Sequence, residues 1–148
     1  MVSCYAAAKK KNWDKAQKCV FPLLVFYLCI VFSITIVNRF PYDEVRYNLS
    51  LFWSYHAAAE RSYYILEILL NYFMLLPYGL IASFYMKRRY AVLSGILLSA
   101  GIETAQLIMK RGLFEFDDIL GNSIGVALGA LIYTAIREEV KGTDEGVS

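Results

Sequence analysis

Three groups of residues could carry chemistry in this chain, and each recurs at helical spacing. Glu67 and Asn71 are four apart and so share one helix face. Gly95, Ser99, Glu103 and Gln106 follow at intervals of four, four and three. Asp118, Asn122, Gly125 and Gly129 do the same at four, three and four, just after Arg111, Glu115 and Asp117. Carboxyls and amides lined up in this way can hold a polar ligand, and a carboxyl in oily surroundings is poised to exchange protons. The guanidinium of Arg111 offers a planar fork of donors for phosphate or carboxylate. Asp117 and Glu115 suit a simpler task, since acidic residues at a helix start satisfy free N–H groups.

Other chemistries are missing. His56 is the single histidine, no Ser-His or Cys-His arrangement supplies a nucleophile, and the helix-borne H-E-x-x-H zinc motif is absent. Cys4, Cys19 and Cys29 are odd in number and widely spaced, unlike a disulfide framework or a zinc site. No cofactor is implied, although the oxygen ligands Glu103, Asp118 and Asn122 would suit a divalent ion such as magnesium. A net charge of +2 without a basic, aromatic-interleaved stripe points away from nucleic acid.

The elements that must position these residues are membrane helices. Of the 148 residues, 58% are hydrophobic and 19% charged, too little polar surface for a soluble domain. Residues 1–19 form a basic segment with Lys9, Lys10, Lys11, Lys15 and Lys18, and no cleavage site follows it. Residues 20–136 are expected to hold four spans: Val20–Val37, about Ser62–Met86, Tyr90–Met109 and Asp118–Ile136. A polar tail, 137–148, ends the chain. Ten of the fifteen Lys and Arg residues lie in the two terminal segments and the Lys87-Arg88-Arg89 turn. By the positive-inside rule both termini are then cytoplasmic and the loops 38–61 and 110–117 external. The fold class is therefore an all-α, four-transmembrane-helix bundle. Phe52, Trp53, Tyr55 and His56 mark an interfacial helix in the first external loop, or a lid.

A carboxylate at the bilayer centre costs about 2.5–3.5 kcal/mol even on the lenient insertion scale, so such groups face a partner or a cavity. Helical rise sets their depths. From an outer boundary near Ser62, Met109 and Asp118, Glu67 and Asn71 lie roughly 8 and 14 Å inward, Glu103 and Gln106 roughly 9 and 5 Å, and Asn122 roughly 6 Å. All fall in the outer half of the membrane. Glu67, Asn71, Glu103, Gln106, Asp118 and Asn122 are thus expected to line one outward polar site, with Arg111 above it. Pro77 should bend the second span. Gly79 there, with Gly121, Gly125 and Gly129 in the fourth, should let helices pack closely.

NYFMLLPYG, from Asn71, and IETAQLIMKRGLFEFDDILGNSIGVALG, from Ile102, together resemble the VanZ-like membrane protein family. Glu103, Gln106, Arg111, Asp118, Asn122, Gly125 and Gly129 match its pattern in order and spacing, over about residues 62–136. Leu75 stands where the family usually has Phe. The resemblance implies an integral protein of a bacterial plasma membrane acting at the envelope face. The family takes its name from a protein linked to glycopeptide resistance, teicoplanin in particular.

Three functions fit these residues. In the first, the outward pocket binds the head of an amphiphile, a glycopeptide antibiotic or an envelope lipid, and contributes to resistance. In the second, Glu103 and Asp118 are the acid and base of an enzyme acting on a lipid-linked envelope precursor. In the third, the glycines dock other membrane proteins. Membrane lipids are partners in every case, and a homo-oligomer is compatible with all three.

Overall fold

The computed structural model describes the backbone of residues 2–146 and the side chains of residues 18–140. The expectations that rest on the side chains of Cys4, Lys9, Lys10, Lys11, Lys15 and Lys141 lie outside the described side chains. Among the described residues, four helical stretches are long and apolar enough to cross a membrane: Lys18–Val37, Tyr63–Tyr85, Arg88–Met109 and Phe116–Val140. They match the four expected spans and confirm the all-α bundle.

Helix α1, Val2–Phe32, continues into a π-helical turn at Ser33–Val37. Its wider winding changes the face that later residues present. Here it buries Thr35 and Ile36. The second span is broken rather than bent, into α3 (Tyr63–Met74) and α4 (Leu76–Tyr85). Leu75, at φ −106° and ψ 5°, leaves the helix, and Pro77 opens α4, where its missing N–H costs nothing. The carbonyl of Met74, freed at the break, accepts the Tyr27 hydroxyl of α1. Helix α5, Arg88–Met109, ends on Lys110 in the left-handed region at φ 54°. Helix α6 runs from Phe116 to Gly146, so the backbone stays helical into the expected polar tail.

Glycine lets α6 lie against the broken span. A Cβ on Gly125 would overlap the Tyr72 carbonyl oxygen, and one on Gly129 that of Leu76. From the other side, a Cβ on Gly79 would overlap the Val126 carbonyl. Backbone thus meets backbone along the whole α3/α4–α6 seam, as small residues permit in lipid. Val126 also fills the notch left by Gly95 on α5. Around it, Leu75, Ile102 and Val31 complete a core drawn from all four spans. The glycine row is therefore used within the chain.

At one end of the bundle the loops have structure of their own. Helix α2, Trp53–Glu60, is the helix expected between the first two spans. The unexpected element is a two-stranded parallel ladder, β1 (Arg46–Asn48) beside β2 (Leu113–Glu115), with Arg46 opposite Leu113 and Asn48 opposite Glu115. It ties the two loops together directly above the ends of α5 and α6.

Candidate functional site

The polar residues converge at this loop end. With Val126 seated on Gly95, the antiparallel run of α5 and α6 sets Ser99 opposite Asn122 and Glu103 opposite Asp118, each pair one turn nearer the loops. Asp118 is among the groups whose charge acts on Glu103. Glu103 is 2% exposed, and its Oε2 accepts the backbone N–H of Glu115 at 3.2 Å. Asp118 is half-buried and receives the Asn71 amide at 2.5 Å. Gln106, also 2% exposed, donates through Nε2 to the Thr35 carbonyl at 3.0 Å, while its Oε1 has no partner. Asn122 is fully buried with both amide atoms unpartnered, and so is the Ser99 hydroxyl. Such groups are costly to leave unmade, at about 1–3 kcal/mol each.

Two expected members sit elsewhere. Glu67 is exposed on α3, although it shares a broad face with Asn71. Four residues turn a helix by more than one full revolution, and the offset carries Glu67 past the edge of the packed seam. Its charge still acts on Asp118 and Glu115. Arg111 does not stand open above the site. Its Nη1 donates to the carbonyls of Ile36 and Val37, at 3.2 and 2.9 Å, and so caps the π turn that ends the first span.

Sequence reasoning missed Arg39. Its Nη1 and the free Oε1 of Gln106 both crowd the space over Gly112, at 3.2 and 2.9 Å from where a Cβ there would lie. Its charge acts on both Glu103 and Asp118. The exposed Arg39, not Arg111, is the cation at the mouth of the cluster. The sequence offered one signal for it, an arginine two residues past the first apolar run.

Asp117 and Glu115 were expected to start α6, and the structure gives them different partners. Asp117, 4% exposed, accepts the N–H groups of Phe52 and Ser54 at 2.7 and 2.9 Å and the Ser54 hydroxyl at 2.6 Å. It caps α2 instead, and holds Phe52 in its left-handed conformation at φ 63°. Glu115 accepts the Trp53 indole N–H at 2.5 Å. Burial raises its carboxyl from 4.5 to about 7, with the charge of Asp118 adding to the shift. The Tyr55 hydroxyl meets that of Tyr72 at 2.5 Å. Burial, then this hydrogen bond, raises the Tyr55 phenol well above its usual value. Four residues of the β1–α2 segment are thus tied down over the cluster as a cover. His56 lines an open groove of about 540 Å³ shared with Trp53, Glu60, Arg61 and Tyr64.

Among the described residues, no group of three or more His, Cys, Asp or Glu is arranged to hold a metal ion. The cluster is acceptor-rich, partly buried and roofed, with one guanidinium at its mouth. Such an arrangement can bind a donor-bearing polar group or move a proton between two carboxyls. No curated protein and no solved structure matches the chain. A family model described as VanZ/LLP1 matches residues 20–137, which take in all four spans and every residue of the cluster. The chain belongs to the VanZ/LLP1 family.

Proposed function

We propose that this is a multi-pass plasma-membrane protein that binds the polar head of an amphiphile, with both termini cytoplasmic and the covered cluster at the outer leaflet. The observation that carries this reading is the roofed meeting of Glu103, Asp118 and Gln106, groups that hydrocarbon does not accept without a partner. Apolar side chains outside the cluster, such as Phe73 and Leu97, would lie along the ligand's tail. A glycopeptide antibiotic with a lipid tail and an envelope lipid are the two candidate ligands, and binding the former would contribute to teicoplanin-type resistance.

The test replaces Glu103 or Asp118 with alanine at matched membrane abundance. Amphiphiles that co-purify with the wild-type protein should be lost from both variants, as should any teicoplanin resistance the gene confers. Retention of both in both variants would remove the reading.

The facing of Glu103 and Asp118 across the α5–α6 seam also supports an acid/base enzyme acting on a lipid-linked envelope precursor. In that case lipid profiles of cells with and without the gene should differ by a converted species. Identical profiles on repetition would count against catalysis and leave binding.

A further inference from the structure

The occupant's chemistry can be read from the balance of donors, acceptors and charge, provided the binding reading above holds. Glu67, Glu103, Glu115, Asp117 and Asp118 act on one another at this end, and the charge of Arg39 reaches Glu103 and Asp118. Local charge therefore favours a positive guest. Two of the five are committed: Asp117 to the start of α2 and Glu115 to Trp53. Glu103 and Asp118 each spend one oxygen on a neighbour's N–H, and among the described residues the other oxygen of each accepts no hydrogen bond. Gln106 adds a second kind of acceptor, a buried and unpartnered Oε1. At this end of the bundle three acceptors thus lack donors of their own among the described residues. A primary ammonium carries three N–H donors and one positive charge, and so complements them.

Arg39 supplies the other half. It is exposed, it borders the same space over Gly112 as the Gln106 acceptor, and its fork fits phosphate. We infer that the site reads a zwitterionic aminophosphate head: a primary ammonium turned inward to Glu103, Asp118 and Gln106, and the adjoining phosphate held at the mouth by Arg39. Glu103 and Asp118 repel phosphate, so the two ends of the head are not interchangeable.

The experiment uses the purified full-length protein in detergent. Retention of phosphatidylethanolamine, phosphatidylcholine and phosphatidylglycerol is read by native mass spectrometry. Phosphatidylethanolamine should be held about tenfold more strongly than the other two. Its quaternary counterpart has no N–H donors, and the glycerol head has no cation. Glu103→Gln, nearly isosteric, and Arg39→Gln, at an exposed position, should each remove that preference without lowering the melting temperature. Soluble O-phosphoethanolamine separates the two sources of the head: displacement of the lipid shows that the head alone is read, and failure to displace assigns the site to the lipid. Equal retention of the three lipids would overturn the inference, as would a preference abolished by EDTA, which would mean a bridging divalent cation. If a different amphiphile is held in a Glu103-dependent way, the inference fails and the binding reading stands. If none is held in that way, both fail.

Discussion

Glu115 shows how one residue can serve two neighbours at once. Its backbone N–H donates to Glu103 while its carboxyl accepts from Trp53, so it joins the buried cluster to its cover. Burial and the charge of Asp118 raise that carboxyl to about 7. A carboxyl raised by folding stabilises the fold in full below its unfolded value, near 4.5, and that contribution is lost as pH rises toward about 7. Melting temperature should therefore fall between these limits. Glu115→Gln keeps an acceptor for Trp53 and removes the titration, so the slope should flatten and the variant should be at least as stable at pH 8. Trp53 emission, followed in a Trp13→Phe background, should titrate near pH 7 in the parent and not in the variant. An unchanged melting profile would mean that Glu115 is not the titrating group. At this scale the sequence was informative about which residues share a level along neighbouring helices and poor about partners. The four-residue steps through Ser99, Glu103, Asp118 and Asn122 fixed which side chains could meet. They said nothing about Asp117 reaching back to Ser54, because a cap looks the same in sequence whichever helix it serves.

Among the elements, the α3/α4–α6 seam decides whether the cluster exists at all. The helix break at Leu75 and the glycines of α6 bring Asn71 against Gly121, and so Asn71 to Asp118. Gly125→Ala would push a methyl group into the Tyr72 carbonyl, and rigid backbone stands on both sides. Overpacking of this kind costs about 1–3 kcal/mol and should part α6 from α3. Gly101 gives the control, since a Cβ there meets nothing within 4 Å. Gly101→Ala should stabilise α5 by about 0.5–1 kcal/mol through helix propensity alone. Thermal unfolding of the two variants, with ligand retention as a second readout, checks the contrast; similar effects of both substitutions would contradict the seam. Helices were legible because eighteen or more apolar residues leave few alternatives. The β1–β2 ladder was not legible. Each strand has three residues, too short for alternation to register, and the partners are far apart in the chain. The π turn at Ser33–Val37 was hidden for a related reason: one extra residue in a helical turn alters phase without altering composition.

For the molecule as a whole, everything that makes the cluster specific lies at one end of the bundle, so its orientation determines which leaflet it serves. An even number of spans puts both termini on one side. The lysine-rich start, the Lys87-Arg88-Arg89 turn and Arg137 with Lys141 all belong to the end opposite the cover. Arg39, Arg46, Arg61, Lys110 and Arg111 belong to the covered end, and three of these have local work. Arg111 caps the π turn, Lys110 donates to the Asp43 carbonyl at 2.9 Å, and Arg46 stacks over Tyr42 at 4.1 Å. Cations used in this way add little to the side-choosing bias, so the asymmetry of free positive charge is greater than the raw count suggests. The prediction is an external cover. In a variant without Cys4, Cys19 and Cys29, a cysteine introduced at the exposed Ser50 should react with a membrane-impermeant maleimide on intact cells. A reporter fused to the C-terminus should be active only in the cytoplasm. Labelling of Ser50→Cys only after permeabilisation would turn the site to the inner leaflet. Glycopeptides arriving from outside would then be beyond its reach, whereas an aminophospholipid, present in either leaflet, would not.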